Sequence, residues 1–300
     1  MGGLTLNDNF NYLEKKTEEE FYKSIGGYIE HPKYKEIFKC LNLVLESKKI
    51  HGLALDGGYG IGKSTIIKGY LKKINKKFFY INSYTTSLSF YIQVYKNRDK
   101  IILLDDLSGL WEDEKGISIL RAMLNNEKIR YVNYLSTSEK LKCPSSFIFK
   151  GKIIILCNNL NKHIEETTKS RMIYRKLNFS YKEKIELMND ILKHNYNFND
   201  EDLKKITEFI LKNVDETNLD FNFRTLLKIA EFYIKYPLEW ENLSLKEIPK
   251  DKNLILIREL QKKYSNTNQR VQEFIKITGK SRASYFNYLK KYKEIKGDPI

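Results

Sequence analysis

The stretch Gly57-Gly58-Tyr59-Gly60-Ile61-Gly62-Lys63-Ser64 carries the spacing G-x-x-x-x-G-K-S. It follows the apolar run Leu53-Ala54-Leu55 and leads into Thr65-Ile66-Ile67-Lys68-Gly69-Tyr70-Leu71, a helix-like pattern. Strand, glycine-rich turn and helix start, in that order, predict a phosphate-binding loop. The glycines let the backbone fold tightly, so that several N–H groups converge on phosphate oxygens. The helix N-terminus adds partial positive charge and unpaired donors. Lys63 is the residue to reach the terminal phosphates, and the Ser64 hydroxyl is suited to ligate Mg²⁺. Gly57 through Thr65 are therefore the candidate nucleotide-binding residues.

Downstream, Ile101-Ile102-Leu103-Leu104-Asp105-Asp106 is a continuous apolar run ending in acids. Such a run reads as a buried parallel strand whose C-terminal end delivers carboxylates. In a phosphate-loop fold, Asp105 would take the metal side and Asp106 would act on the attacking water. Lys152-Ile153-Ile154-Ile155-Leu156-Cys157-Asn158-Asn159 is a second buried strand, ending in amides. An asparagine at Asn158 can bond the water or the γ-phosphate without adding negative charge, and it is equally suited to a turn.

The order of phosphate loop, IILLDD strand, IIILCN strand and Lys169-Ser170-Arg171 resembles AAA+ ATPases, the clamp-loader branch especially, over about residues 32–236. The segment from LRAMLNN to IIILCNN also resembles phage and plasmid ATPases and superfamily 3 helicases, which carry a hairpin before the polar strand. The resemblance implies an α/β core with a parallel sheet over 32–179 and a helical lid over 180–249, after an N-terminal extension of 1–31. It implies ATP as the nucleotide, Asn158 as first sensor, and Arg171 as a finger completing a neighbouring subunit's site, with Arg175 as rival. It places a second sensor arginine on the lid, and Arg224 starts the third lid helix where that residue belongs. A finger supplied by a neighbour implies a homo-oligomer, most simply a hexameric ring. The family more often has glutamate where Asp106 stands, which bears on hydrolysis rate.

Elsewhere the pattern is simpler. Thr17 with Glu20 has capping-box spacing for a short helix that Gly26-Gly27 would end. Pro32 suits a first helical residue, and Ile37, Phe38, Leu41, Val44 and Leu45 follow at helical spacing. Phe78-Phe79-Tyr80-Ile81 reads as a strand and 112–126 as a helix. Lys128–Tyr134 and Ser146–Phe149 alternate around a polar stretch, as a hairpin or long loop would. Residues 181–195, 200–213 and 222–236 show helical apolar spacing, closed by Pro237.

The formal net charge is +15, which suits a polyanionic partner. Lysine enrichment throughout the chain contributes to it, since only 9 residues are arginine. Residues 250–300 hold 13 Lys and Arg against 5 Asp and Glu. Helices are expected there over 254–263, 269–277 and 281–292. Thr278-Gly279-Lys280-Ser281 has the glycine-containing turn of a helix-turn-helix, with Ser281 as N-cap. Ala283, Phe286 and Leu289 would pack on Val271, Phe274 and Ile275, leaving Lys280, Arg282, Ser284, Tyr285, Asn287 and Tyr288 to meet DNA. The stretch KSRASYFNYL resembles recognition helices of resolvase-like bacterial DNA-binding domains.

No apolar run approaches the ~20 residues of a membrane span, and no signal-peptide pattern opens the chain. Cys40, Cys143 and Cys157 form neither a disulfide framework nor a metal cluster. The expectation is a cytoplasmic, DNA-associated, Mg²⁺-dependent ATPase in replication or maintenance of a mobile element: helicase, helicase loader or initiator, working with other replication proteins. The alternative is a nucleotide-switched DNA-binding regulator or partition factor that hydrolyses slowly.

Overall fold

The computed structural model describes residues 17, 19–82, 84–135 and 143–296. Two compact units divide between Asn178 and Phe179. Most of the expected 1–31 extension and the tip of the expected hairpin, 136–142, lie outside the described residues.

The first unit is built on a parallel sheet in the order β2-β3-β6-β1-β7. Its strands are β1 (Gly52–Gly57), β2 (Phe78–Ile81), β3 (Ile101–Asp105), β6 (Lys152–Cys157) and β7 (Ile173–Leu177). The three central strands are the unbroken apolar runs of the sequence. A strand covered on both faces has no solvent side to keep polar. Alternate residues Ala54, Ile102, Leu104, Ile153 and Ile155 join a core with Phe90, Tyr91, Val94, Leu120 and Met123. Leu53, Leu55, Leu103, Ile154 and Leu156 project from the opposite face and are equally buried. Each such side chain contributes roughly 1.5–3 kcal/mol by leaving water.

Helices α1 (Pro32–Glu46), α2 (Lys63–Lys73), α3 (Ser87–Lys96), α4 (Ser108–Trp111), α5 (Glu114–Met123) and α6 (Glu166–Lys169) surround the sheet. Pro32 opens α1, where its missing N–H costs nothing. The expected helix over 112–126 is α5, shorter at both ends, and the Asp113 carboxylate caps it by accepting from the Lys115 N–H. Strands β4 (Tyr131–Asn133) and β5 (Ser146–Ile148) pair antiparallel as a separate two-stranded sheet, with Val132 opposite Phe147. Residues 19–24 are helical, and Tyr22 binds the backbone of edge strand β2: its hydroxyl bonds both the C=O and the N–H of Phe78.

The second unit is helical. Helices α7 (Tyr181–Asn195), α8 (Asp200–Asn213) and α9 (Phe223–Lys235) lie where the apolar spacing puts them. Ser180 with Glu183 and Asn199 with Asp202 form reciprocal capping boxes, and Asn222 caps α9. An additional helix, α10 (Trp240–Glu247), follows, its Trp240 ring set 4.7 Å from Phe209 and 5.1 Å from Tyr233.

Helices α11 (Lys252–Lys263), α12 (Thr267–Thr278) and α13 (Arg282–Lys296) complete the unit. Arg258 pairs with Asp215, and the Asn218 amide donates to the Pro249 carbonyl at 2.6 Å. The first of these contacts joins residues on either side of 249/250 within the second unit. Gly279 ends α12 with φ 67°, a left-handed conformation that glycine adopts without strain. Ser281 then caps α13 by accepting from the Ser284 N–H.

One expectation about α13 is corrected by its packing. Tyr285 is fully buried, 5.6 Å from the Phe274 ring, with its hydroxyl accepting from Gln261. Tyr288 is half-buried and accepts from Asn253. Phe286 and Ile275, expected inside, are each 39% exposed, and Ala283 is exposed. The apolar stripe of α13 is Tyr285, Tyr288, Leu289 and Tyr292, spaced i, i+3, i+4, i+7. Four large residues on that face outweigh the smaller Ala283–Phe286–Leu289 stripe, and the helix rotates accordingly.

Candidate nucleotide site

The chemistry-bearing residues gather where β1, β6 and β3 end side by side. Asp56 lies opposite Cys157, and Asp105 opposite Leu156. The phosphate loop, Asp105-Asp106 and Asn158-Asn159 therefore leave the sheet at one level. This is the carboxyl edge of a parallel sheet, where ligands of such folds bind.

Gly57 must be glycine. A Cβ there would stand 2.3 Å from the Leu177 carbonyl oxygen, and backbone cannot yield. Gly62 turns the chain into α2 with φ 84°, so no side chain caps the helix and its first N–H groups face the loop. Ile61 is buried, and its carbonyl accepts from the buried Tyr34 hydroxyl at 3.4 Å. Tyr59 and Thr65 are exposed.

Lys63 is buried, and its ammonium donates to Gly57 O at 2.9 Å, Gly58 O at 2.8 Å and Asn158 Oδ1 at 2.6 Å. Burial lowers its pKa, against the opposing pull of Asp106, Asp105 and Asp56. Ser64 Oγ donates to Asp105 Oδ2 at 2.5 Å, and the Tyr80 hydroxyl donates to the same oxygen at 2.7 Å. Burial, then the Asp105 bond, hold the Tyr80 phenol above its ordinary pKa, so it remains a donor. A hydroxyl and a carboxylate brought together in this way form the hard oxygen set that suits Mg²⁺.

Asp106 and Asn159 both have left-handed backbones, φ 49° and 63°. Residues outside glycine are held there only when their surroundings over-determine them. Asp106 N–H donates to Leu156 O at 3.1 Å, and its carboxylate accepts from the Asn158 amide at 3.3 Å. Asn158 thus touches Lys63 through its oxygen and Asp106 through its nitrogen. Asn159 N–H donates to Asp56 Oδ1 at 2.7 Å, while the Tyr174 hydroxyl donates to Asp56 Oδ2 at 2.7 Å. Burial and the two nearby carboxylates push the Cys157 thiol up to about 12, which leaves it protonated and inert.

The expected arginines make other contacts. Arg171 is exposed and donates to the Arg121 carbonyl at 3.2 Å. It precedes β7, whose Ile173 lies opposite Leu53 while Leu177 lies opposite Gly57. Four strand residues at ~3.3 Å each separate those levels by about 13 Å. Arg171 therefore sits at the far end of the sheet from its own phosphate loop. Arg175 pairs with Glu36 at 3.3 Å. Arg224 is exposed on the second unit, beside Tyr196, Leu227 and Glu231. Lys280, Arg282 and Asn287 are exposed and Ser284 half-buried, whereas Tyr285 belongs to the core.

Three participants were not singled out from sequence: Tyr80, Asp56 and Tyr174. Asp56 left a trace, an acid closing the otherwise apolar Leu53-Ala54-Leu55 strand. Tyr80 and Tyr174 left none, because an aromatic residue in a strand is ordinary.

No protein-family profile and no curated protein matches the chain in sequence. Solved structures match its fold. DnaA from Aquifex aeolicus, bound to AMPPCP, superposes with a TM-score of 0.51 at 15% identity, covering 90% of each chain. A point mutant of RuvB from Thermotoga maritima does so with a TM-score of 0.50 at 12% identity, covering 86% of this chain and 88% of that one. A second point mutant of the same protein superposes with a TM-score of 0.50 at 12% identity, covering 88% of both chains. The chain thus shares the fold of these structures, a parallel α/β core with a helical C-terminal region.

Proposed function

We propose that the chain is a Mg²⁺-dependent ATPase that works on DNA, in replication or maintenance of a mobile element. The convergence of Lys63, Ser64, Asp105, Asp106 and Asn158 at one sheet edge carries this reading. The AMPPCP held by the similarly folded DnaA, an ATP analogue, supports the choice of nucleotide.

In this reading the phosphate loop and the α2 N-terminus bind the β- and γ-phosphates through backbone N–H groups, and Lys63 adds a point charge. Ser64 and Asp105 would hold the metal, with Tyr80 fixing the carboxylate. Bound there, Mg²⁺ supplies charge neutralisation at the phosphate oxygens. Asp106 accepts the proton of the attacking water, and Asn158, bonded to Asp106 and Lys63 at once, orients that water. Arg171 is too far from its own phosphate loop to serve it. It serves a neighbouring subunit, which requires a homo-oligomer, a hexameric ring being the simplest closed form. Arg224 reports nucleotide state to the helical unit. The basic α12–α13 pair binds DNA through Lys280, Arg282, Ser284 and Asn287.

Phosphate release, measured with and without DNA for the wild type, Lys63→Ala and Arg171→Ala, tests this. DNA-stimulated turnover in the wild type, loss in both variants, and poisoning of the wild type by added Asp106→Asn protein are expected. ATP-dependent DNA binding with almost no turnover would replace the motor with a nucleotide-set switch, a reading that the shorter Asp106 side chain favours.

A further inference from the structure

We infer that Asp56 is a positioning residue that sets the γ-phosphate sensor and ties it to the strand after Arg171. This rests on the ATPase reading and adds to it a residue and a route of communication. Asp56 is 4% exposed, at the end of a strand that is otherwise glycine, alanine and leucine. Both of its hydrogen bonds come from neutral donors, the Asn159 N–H and the Tyr174 hydroxyl. A carboxylate taken from water and hydrogen-bonded among the described residues by neutral donors, with the Lys63 ammonium acting on it only through space, is costly to keep. An apolar residue would suit the strand better, so the acid has another task.

The task is visible in what it holds. Oδ1 anchors the N–H of Asn159, whose left-handed φ of 63° turns the chain immediately after Asn158. That turn aims the Asn158 amide, with its oxygen 2.6 Å from Lys63 Nζ and its nitrogen 3.3 Å from Asp106 Oδ2. Without the anchor, Asn159 relaxes towards ordinary φ and Asn158 swings away from both partners. Oδ2 holds the Tyr174 hydroxyl on β7, three residues beyond Arg171. Lys169 Nζ lies 4.6 Å over the Tyr174 ring, so the α6–β7 connection that carries Arg171 is gripped from the same carboxylate. A shift of Asn158 on loss of the γ-phosphate is thereby passed to the finger segment through two hydrogen bonds on one side chain.

The test combines nucleotide affinity with turnover in the full chain, using Asp56→Ala, Asp56→Asn, Tyr174→Phe and Asn158→Ala. Fluorescent ATP and ADP analogues report binding, and phosphate release reports turnover. Asp56→Ala should leave ADP affinity within about twofold, because the phosphate loop is untouched. It should cut kcat by about tenfold or more and erase most of the preference for ATP over ADP, as loss of a positioned group does. Asp56→Asn retains an acceptor for Asn159 and should recover part of kcat. Tyr174→Phe spares the sensor turn. It should keep the ATP preference while lowering kcat about threefold, and limited proteolysis of 163–172 should no longer differ between ATP and ADP analogues. Asp56→Ala combined with Asn158→Ala should be no slower than Asn158→Ala alone, since one acts through the other. Multiplying defects, or an Asp56→Ala protein that loses melting temperature yet keeps wild-type kcat and ATP preference, would overturn the inference. A wild type that neither binds nor hydrolyses ATP would instead remove the ATPase reading itself.

Discussion

At the carboxyl edge of the sheet, polar groups are placed by backbone. Three parallel strands in fixed register end at one level, and each strand end must release its next residue into the same space. In the α12–α13 pair, groups are placed by helix rotation, and rotation answers to whichever face packs best. The first arrangement leaves Asp105, Asp106 and Asn158 no alternative position. The second moved Tyr285 from an expected DNA contact to the centre of a core. Strand ends therefore concentrate chemistry at one level, whereas the same kinds of residue on a helix divide between core and surface by about 100° of turn per residue.

That contrast is breakable. Tyr285→Ala should cost about 3–5 kcal/mol, as other buried aromatic truncations do, while Phe286→Ala next to it should stay within about 0.5 kcal/mol. Thermal unfolding of the two variants checks it, and a larger loss at Phe286 would restore the first-expected face. At the sheet edge the effect should fall on chemistry instead. Lys63→Ala should lower ATP turnover by about 100-fold or more, as removal of one charge-stabilising donor does, and phosphate release under saturating ATP reads it.

The opposite end of the same sheet holds a pH-sensitive group. His51 is buried there, with Nε2 lacking a partner among the described residues and Lys152 Nζ 3.3 Å from Nδ1. Burial, then Arg130 and Lys152, lower its pKa from 6.5 to about 4. The unfolded chain thus binds a proton that the folded chain refuses. Stability should fall as pH drops from about 6.5 towards about 4, by up to about 1.4 kcal/mol per unit from this residue. Denaturant unfolding of His51→Gln beside the wild type across that range isolates it, and parallel slopes would remove the assignment.

The smallest expected effect concerns the exposed side of α13. Arg282→Ala should weaken DNA binding severalfold and reduce the log–log salt slope by about one, the signature of one lost phosphate contact. Binding isotherms at several salt concentrations measure it. An unchanged slope would place the DNA-facing surface elsewhere.

Much of the core was readable because its signals are covalently local. The phosphate loop is a run of adjacent residues whose spacing alone dictates its turn. The IILLDD and IIILCNN runs name their own buried strands and the groups at their ends. Helices α7 to α9 were readable for a similar reason, since apolar spacing is a short-range feature. Helix α10 was not, because its Trp240 finds Phe209 and Tyr233 only after the chain has folded back.

Neighbouring residues encode a glycine-rich loop between a strand and a helix, two further buried strands ending in polar residues, and a basic helical C-terminus. These follow from backbone sterics and hydrophobic periodicity, which act over a few residues. Tertiary structure alone decided that Tyr80 holds Asp105, that Asp56 holds both Asn159 and Tyr174, and that Tyr285 faces inward. Each of those depends on a hydrogen-bond partner 24 or more residues away, at a distance that sheet order and helix rotation set and that no local spacing encodes.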